Sequence, residues 1–458
     1  MECFDVVIVG GGPGGLAAAW NARLRGLSVA VINGSHILGY GLHGAYKSKG
    51  MWELAKDVLV AQKIGRGYHP CSGPIDFAEV GRQIQDGTEE LASMYVDQLS
   101  RVGIKMLPGF AHFVDPHAVE VEGQQIQGKS LIIATGTRPK IPAGVEVDGK
   151  SILTSDHVVD LPKLFESVTI LGAGVIGCEF ASILAAFGAK VTLIDSQLRV
   201  LASEDEDVSR FLSAVFGRRH IDLLQGRRMS HIKRVGDRVR VVLDDGATVE
   251  SEAALLAMGR TAGTESLGLE KVGIVTDAQG YVVINDEMQT SVPHIYAVGD
   301  VARKMHEEAA CLVHVAEAEG RHAAASILGA KGGIQYGHVP FIIFTHPMIA
   351  GVGENETQAR KRHGAVRVVR FENARNHRLH AMRSFEGFVK LIVGPEGDDR
   401  ILGVRAVGPQ ADTLIGEVSV MIQHGIPYTA LPDSFHAHPS LSESLQNAAR
   451  VLAGQLPA

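Results

Sequence analysis

The sequence predicts an α/β fold: two parallel-sheet βαβ units followed by a C-terminal α+β unit. Three observations predict it. Near the N terminus the apolar run VVIV leads into GGGPGG and the alanine-rich LAAAWNARLRG, which reads as strand, tight turn and helix. The same order recurs in VTILGAGVIGCE at 168–179. Toward the C terminus two β-rich runs, FVKLIV and ILGVRAVG, flank GPEGDDR at 394–400, which reads as an antiparallel hairpin. At 458 residues the chain exceeds one ordinary core and is expected to divide into three or four units.

In the first unit Gly10, Gly12 and Gly15 let the backbone turn sharply and bring a pyrophosphate close to amide N–H groups at the positive end of a helix. The next strand, SVAVI at 28–32, runs into Asn33, where an acidic residue would hold the adenosine ribose hydroxyls. An amide can still hydrogen-bond a hydroxyl, without the charge-assisted part of the interaction. In the second unit Gly172, Gly174 and Gly177 repeat the turn, and the strand KVTLID ends on Asp195. A carboxylate there accepts from a free ribose 2′-OH and repels a 2′-phosphate, which favours NAD(H); Arg199, close in sequence, leaves NADP(H) open. Two dinucleotide sites in one chain imply a pair that exchanges electrons, a flavin and a nicotinamide.

The charge balance excludes other classes. With 44 basic and 51 acidic residues the formal charge is -7, without long blocks of like charge, so a nucleic-acid surface is not expected. No apolar stretch reaches the roughly 18 residues of a membrane span. The strand-like FDVVIVG beginning at Phe4 leaves no room for a signal peptide, and a cytoplasmic protein is the expectation. Cys3, Cys71, Cys178 and Cys311 are too far apart for a CxxC dithiol or a zinc site, so no metal is expected.

Six further segments follow in order: LIIATGTRP (131–139), LLAMGRTAGT (255–264), IYAVGD (295–300), LVHVAEAEG (312–320), FTHPMIAGVGENE (344–356) and FHAHPSLSE (435–443). With the two glycine turns they resemble, from end to end, the class I pyridine nucleotide-disulfide oxidoreductases, the family of dihydrolipoamide dehydrogenase, glutathione reductase, mercuric reductase and soluble transhydrogenase. The resemblance implies two Rossmann-like dinucleotide-binding domains of the glutathione reductase type plus an α+β dimerisation domain. An FAD domain, 1–146 and 271–335, would be interrupted by an NAD(H) domain, 147–270, and followed by an interface domain, 336–458, in a homodimer with a shared active site. It places FAD on the first glycine turn with Pro13 and Gly14, and on Asn33, Lys49, Ala111, Thr135, Gly136 and Thr137. Asp300 would hold the ribityl chain, and Leu312, Val313 and His314 would open the helix under the isoalloxazine. NAD(H) would lie on the second turn with Val175, Ile176, Glu179, Asp195 and Gly259.

One stretch departs from the family. Where relatives carry Cys-x4-Cys and then Pro-Ser-Lys, this chain reads GYGLHGAYKSKG at 39–50, which keeps Ser48 and Lys49, lacks the proline and is one residue short. Counting from Gly41 puts Tyr46 at the flavin-proximal cysteine; counting back from Lys49 puts Ala45 there. Neither can store two electrons. By the resemblance Lys49 pairs with Glu179 near the flavin N5, whereas a lysine in a K-S-K loop is otherwise simply solvated. His438 occupies the family's acid/base position, oriented by Glu443, although Ser440-Leu441-Ser442-Glu443 also reads as a capping box opening a helix with Leu441, Leu445, Ala448 and Leu452 on one face. His436 reads as packing or a backbone partner, and His43 as a weaker candidate substrate contact. The run ARKMHEEA, longer than the resemblance leads one to expect, is either a solvated loop or a border of the acceptor pocket.

The expected function is FAD-dependent oxidation of NADH with electrons passed to a non-disulfide acceptor, a quinone or another small oxidant. Transhydrogenation between NAD(H) and NADP(H), and a silent flavoprotein acting as a binding or sensing module, are the alternatives.

Overall fold

The computed structural model describes residues 2–457 apart from 35, 68, 71–72 and 304–310. Most of ARKMHEEA, and Cys71, therefore lie outside the described residues. The N-terminal part runs β1 (Glu2–Val9), α1 (Pro13–Leu24), β2 (Val29–Asn33), α2 (Lys47–Ala61), α3 (Phe77–Arg101), β3 (Lys105–Pro108), β4 (Ala111–Asp115), β5 (Ala118–Val121) and β6 (Gln124–Ile133). Its sheet is ordered β3, β2, β1, β6, β5, β4, parallel as far as β6 and antiparallel beyond it, and the strand Ile295–Ala297 returns to pair parallel with Leu131–Ile133 on the side of β6 away from β1. Val6, Val7 and Ile8 are wholly buried in the middle of it. Covering on both faces explains why this strand reads as a continuous apolar run rather than an alternating one.

The second sheet is parallel throughout, in the order Asp222–Gln225, Lys190–Asp195, Ser167–Leu171, Ala253–Leu256, Ile152–Thr154. The last sheet is antiparallel throughout, in the order Pro340–Ile343, Ile349–Gly353, Ile401–Val407, Phe388–Val393, Arg367–Glu372. Its central hairpin is the one that GPEGDDR foretold. Lys390, buried in this sheet, faces Asp205 (2.8 Å) and Asp207 (2.6 Å) from the loop and helix after the second nucleotide turn, and so ties the two units together.

The C-terminal helix Ser442–Leu452 buries Leu445, Ala448 and Ala449, as its spacing predicts. Its start differs from the capping-box expectation. The helix begins after Leu441; Glu443 does reach back to the Ser440 N–H (2.8 Å), but the Ser440 hydroxyl pairs with Ser442 Oγ (2.9 Å). Only the glutamate half of the box forms, and it uses one carboxylate oxygen of Glu443. Among the described residues no helix is long and apolar enough to cross a membrane.

Candidate functional site

The two glycine turns are built alike. Gly10 has φ +114° and Gly172 φ +109°, and a Cβ on either would lie 2.3 Å from a carbonyl oxygen, of Ala134 or Ala257. Only glycine fits both the backbone sign and the contact. Gly15 and Gly177 do a different job: a Cβ there would fall 2.0 and 1.8 Å from the carbonyl oxygens of Gly10 and Gly172, so their bareness lets each helix close onto its own strand. In each unit the side chain ending the second strand reaches back over the turn. Asn33 lies over Gly11, whereas the Asp195 carboxylate accepts the Ala173 N–H and, at 2.7 Å, the Gln197 N–H. Arg199 is turned onto the Ala202 carbonyl (3.0 Å).

A cavity of about 920 Å³ opens from the first turn. Asn33, Phe110, Ala111, Gly10, Gly12, Pro13, Gly14, Lys49 and Glu179 line it. Thr135, Gly136, Thr137, Asp300, Leu312, Val313 and His314 complete its wall, with Val175 and Ile176 reaching in from the second turn. Every residue assigned to FAD except Gly15 thus lines one space. Gly174, Asp195 and Gly259 lie outside it. The wall fits FAD: glycines leave room for the pyrophosphate, and Thr135 Oγ1 is buried without a hydrogen-bond partner, an orphan that a ligand can satisfy.

The departing stretch folds as a wide π-helical turn, Gly41–Tyr46, running straight into α2. Gly41, Ala45, Ser48 and Lys49 face the cavity; Tyr46 does not. The Tyr46 hydroxyl instead lies against Gly87 of α3, where a Cβ would be 2.7 Å from it. Between the two registers left open by counting, the structure therefore seats Ala45 on the wall. The sequence reading missed Tyr40. Its ring lines the cavity, lies across Gly44, where a Cβ would come within 2.2 Å of Cε2, and is covered by the Arg260 guanidinium at 4.1 Å. Arg260 in turn donates to Thr137 Oγ1 and to the Thr137 carbonyl, both at 2.8 Å. A bare Gly44 four residues before Ser48 is the one sequence signal that an aromatic ring could be folded over it.

Lys49 Nζ and Glu179 Oε2 meet at 2.9 Å, and Glu179 Oε1 accepts the Phe344 N–H at 2.9 Å. Lys49 also lies 4.9 Å over the Phe344 ring. Glu179 is buried, and its two oxygens are held by two groups, the Lys49 ammonium and the Phe344 N–H, so the lysine cannot swing away without leaving a buried carboxylate without its counter-charge. His43 stacks on His36 at 4.1 Å and is not on the cavity wall, whereas His36 is. Burial first, then the charges of His36 and Lys47, push His43 down to about 4 and keep it neutral near pH 7.

His438 Nδ1 sits 2.8 Å from Glu443 Oε1, with its side chain 60% exposed and outside the cavity of its own chain. Burial alone would raise the Glu443 carboxyl; the hydrogen bonds from His438 and Ser440 outweigh it and hold the group below its ordinary value. His436 is bound by side chains rather than backbone, Ser434 Oγ at 3.2 Å and Glu417 Oε1 at 3.3 Å.

The cysteines are scattered. Cys3 is exposed at the start of β1, away from the turn end of that strand. Cys178 is wholly buried, its thiol pushed up by desolvation and directed at the Ala173 carbonyl (3.3 Å). Cys311 lines the cavity.

The pyridine nucleotide-disulphide oxidoreductase family matches residues 4–320, and its dimerisation domain matches residues 339–449. A dihydrolipoyl dehydrogenase of Chlamydia muridarum is 33% identical over 456 residues, covering 96% of this chain and 95% of that protein. One of Bacillus subtilis is 32% identical, covering 99% and 98%. Among solved structures, LpdA of Mycobacterium tuberculosis superposes with a TM-score of 0.90 at 28% identity, covering 99% of this chain and 100% of that one. RclA of Escherichia coli, an HOCl-induced flavoprotein disulfide reductase, gives 0.88 at 26% identity, covering 98% and 100%. The chain belongs to the pyridine nucleotide-disulphide oxidoreductase family.

Proposed function

We propose that this enzyme passes electrons from NADH to a small acceptor, a quinone or another small oxidant, with no dithiol in between. Membership of the family makes it a flavoprotein oxidoreductase that uses FAD and NAD(H). When bound, FAD supplies the two-electron carrier between nicotinamide and acceptor. One observation carries the proposal: Gly41–Tyr46 holds no sulfur, and what faces the cavity there is the backbone of Gly41 and the methyl group of Ala45.

The other residues have roles that do not need sulfur. Lys49, held by Glu179, keeps a fixed positive charge at the cavity wall and stabilises negative charge arriving there. Asp195, held over the second turn by two backbone N–H groups, repels a 2′-phosphate, which supports NADH over NADPH and speaks against easy transhydrogenation. His438 keeps Nδ1 on Glu443 and leaves Nε2 to hold a proton for the acceptor. Since His438 is exposed and off its own cavity, we assign it to the cavity of a second copy, in a homodimer formed through residues 339–449.

Serine replacement of Cys3, Cys71 and Cys311, singly and together, tests the reading. NADH oxidation coupled to a benzoquinone is expected to survive in all of them. Loss of turnover on replacing Cys311 or Cys71, with the flavin still bound, overturns it.

A further inference from the structure

The loop that follows Asp195 is fastened at both ends. At the nucleotide end the Gln197 N–H donates to Asp195 at 2.7 Å, and the Leu201 N–H donates to the Ala173 carbonyl at 2.9 Å. Ala173 belongs to the second glycine turn and gives its own N–H to Asp195. One residue of the turn is thus held from two sides, by the Asp195 carboxylate and by the loop. Leu201 makes its bond at φ +47°, a left-handed backbone that leucine avoids, and is 2% exposed. A residue stays at such a φ only where its surroundings over-determine it.

Those surroundings come from the antiparallel C-terminal sheet. The Glu204 N–H donates to the Leu201 carbonyl at 2.8 Å, and the Glu204 carboxylate accepts from Arg405 Nε at 2.7 Å. The Arg405 side chain is buried, and its outer nitrogens also donate to the carbonyls of Val352, Gly353 and Val404 at 3.0 to 3.3 Å. Beside this anchor the Ser203 carbonyl accepts from Asn355 Nδ2 at 2.9 Å, and Asp205 accepts the Glu356 N–H at 2.9 Å. Lys390 gathers Asp205, Asp207 and Glu356 at 2.8, 2.6 and 3.2 Å. Two buried cations of one sheet therefore grip the acidic end of a loop whose other end holds the second turn.

We propose that Arg405 is a positioning residue for NAD(H): through Glu204 it keeps Leu201 in its left-handed conformation, and so holds Ala173 and Asp195 in the shape that takes the nucleotide. The proposal rests on the reading above that NAD(H) lies on the second turn. Without the anchor the Leu201 backbone relaxes toward the negative φ that leucine prefers, its N–H leaves the Ala173 carbonyl, and the turn loses one of its two holds. Lys49 and Glu179 take no part in these contacts, so the effect falls on nucleotide binding and not on the hydride step.

Rapid mixing of the FAD-loaded enzyme with a series of NADH concentrations separates the two and needs no acceptor: the half-saturating concentration reports binding, the limiting rate of flavin reduction reports hydride transfer. Glu204→Ala removes the anchor and leaves Arg405 its backbone carbonyls. Half-saturation is expected to rise by roughly five- to tenfold, with limiting rate and flavin content as in the parent. Glu204→Gln keeps an oxygen for the Arg405 Nε–H and is expected to stay within about twofold of the parent, a rescue that mere loss of packing would not show. Arg405→Gln is expected to act as Glu204→Ala does, and serves if that variant does not assemble. Half-saturation unchanged in whichever variant assembles, or raised equally in Glu204→Gln, overturns the proposal. Gly177→Ala, run beside them, shows which part failed: if it too leaves half-saturation unchanged, the second-turn reading falls, whereas a loss confined to Gly177→Ala counts against the Arg405 anchor alone.

Discussion

Lys49 brings a positive charge to the cavity wall, and its position is set by Glu179 and Phe344. Lys49→Met removes the charge at nearly constant length. Flavin reduction by NADH, followed by rapid mixing, is expected to slow by on the order of 10²-fold with flavin content retained. An unchanged rate would leave the pair a purely structural role. His346 makes a second prediction. It is buried, stacked on Trp52 at 4.8 Å, and pushed down to about 3 by burial and then by the charges of Arg219 and Lys56. Its folded value lies below its unfolded one, so the unfolded chain takes up the extra proton. Stability from this group is whole above about pH 6.5 and falls, by at most about 1.4 kcal/mol per pH unit, as pH drops toward 3. His346→Phe keeps the stack and removes the proton site. The loss of unfolding midpoint between pH 7.5 and pH 5 is therefore expected to be smaller in the variant than in the parent, as read by calorimetry.

At the scale of elements, Gly177 tests whether the two turns hold separate ligands. A Cβ there meets the Gly172 carbonyl at 1.8 Å, so Gly177→Ala must push the helix Val175–Phe187 off its strand. NADH binding is expected to be lost while the bound FAD spectrum is kept, because the first turn lies on another sheet. Release of both cofactors would contradict this. The turns, their strands and the C-terminal hairpin were legible in the sequence because each rests on a local rule: glycine at a positive φ, apolar runs of fixed length, turn residues between β-formers. The stretch 39–50 was not. Its register depends on which side chain packs on which glycine, and counting residues could not choose between Ala45 and Tyr46. Tyr40 went unnoticed for a related reason. Its partner Arg260 is 220 residues away in sequence, by subtraction of 40 from 260, and no local pattern brings them together. The half-formed capping box shows a similar limit, since the Glu443 oxygen that a box would leave idle is taken by His438.

At the scale of the whole molecule, the parallel strands of two sheets each present a glycine turn, and an antiparallel sheet is joined to the second through the buried Lys390 cluster. The two βαβ units and the C-terminal α+β unit were implied by the sequence; the Lys390 link was not. The proposed direct route for its electrons turns on one local stretch, Gly41–Tyr46, which holds no sulfur. Anaerobic titration of the FAD-loaded enzyme with NADH, counting equivalents to complete bleaching and thiols afterwards, tests this most directly. One NADH per flavin, with no new thiol, is the predicted result. Two NADH per flavin, with two thiols appearing, would contradict it.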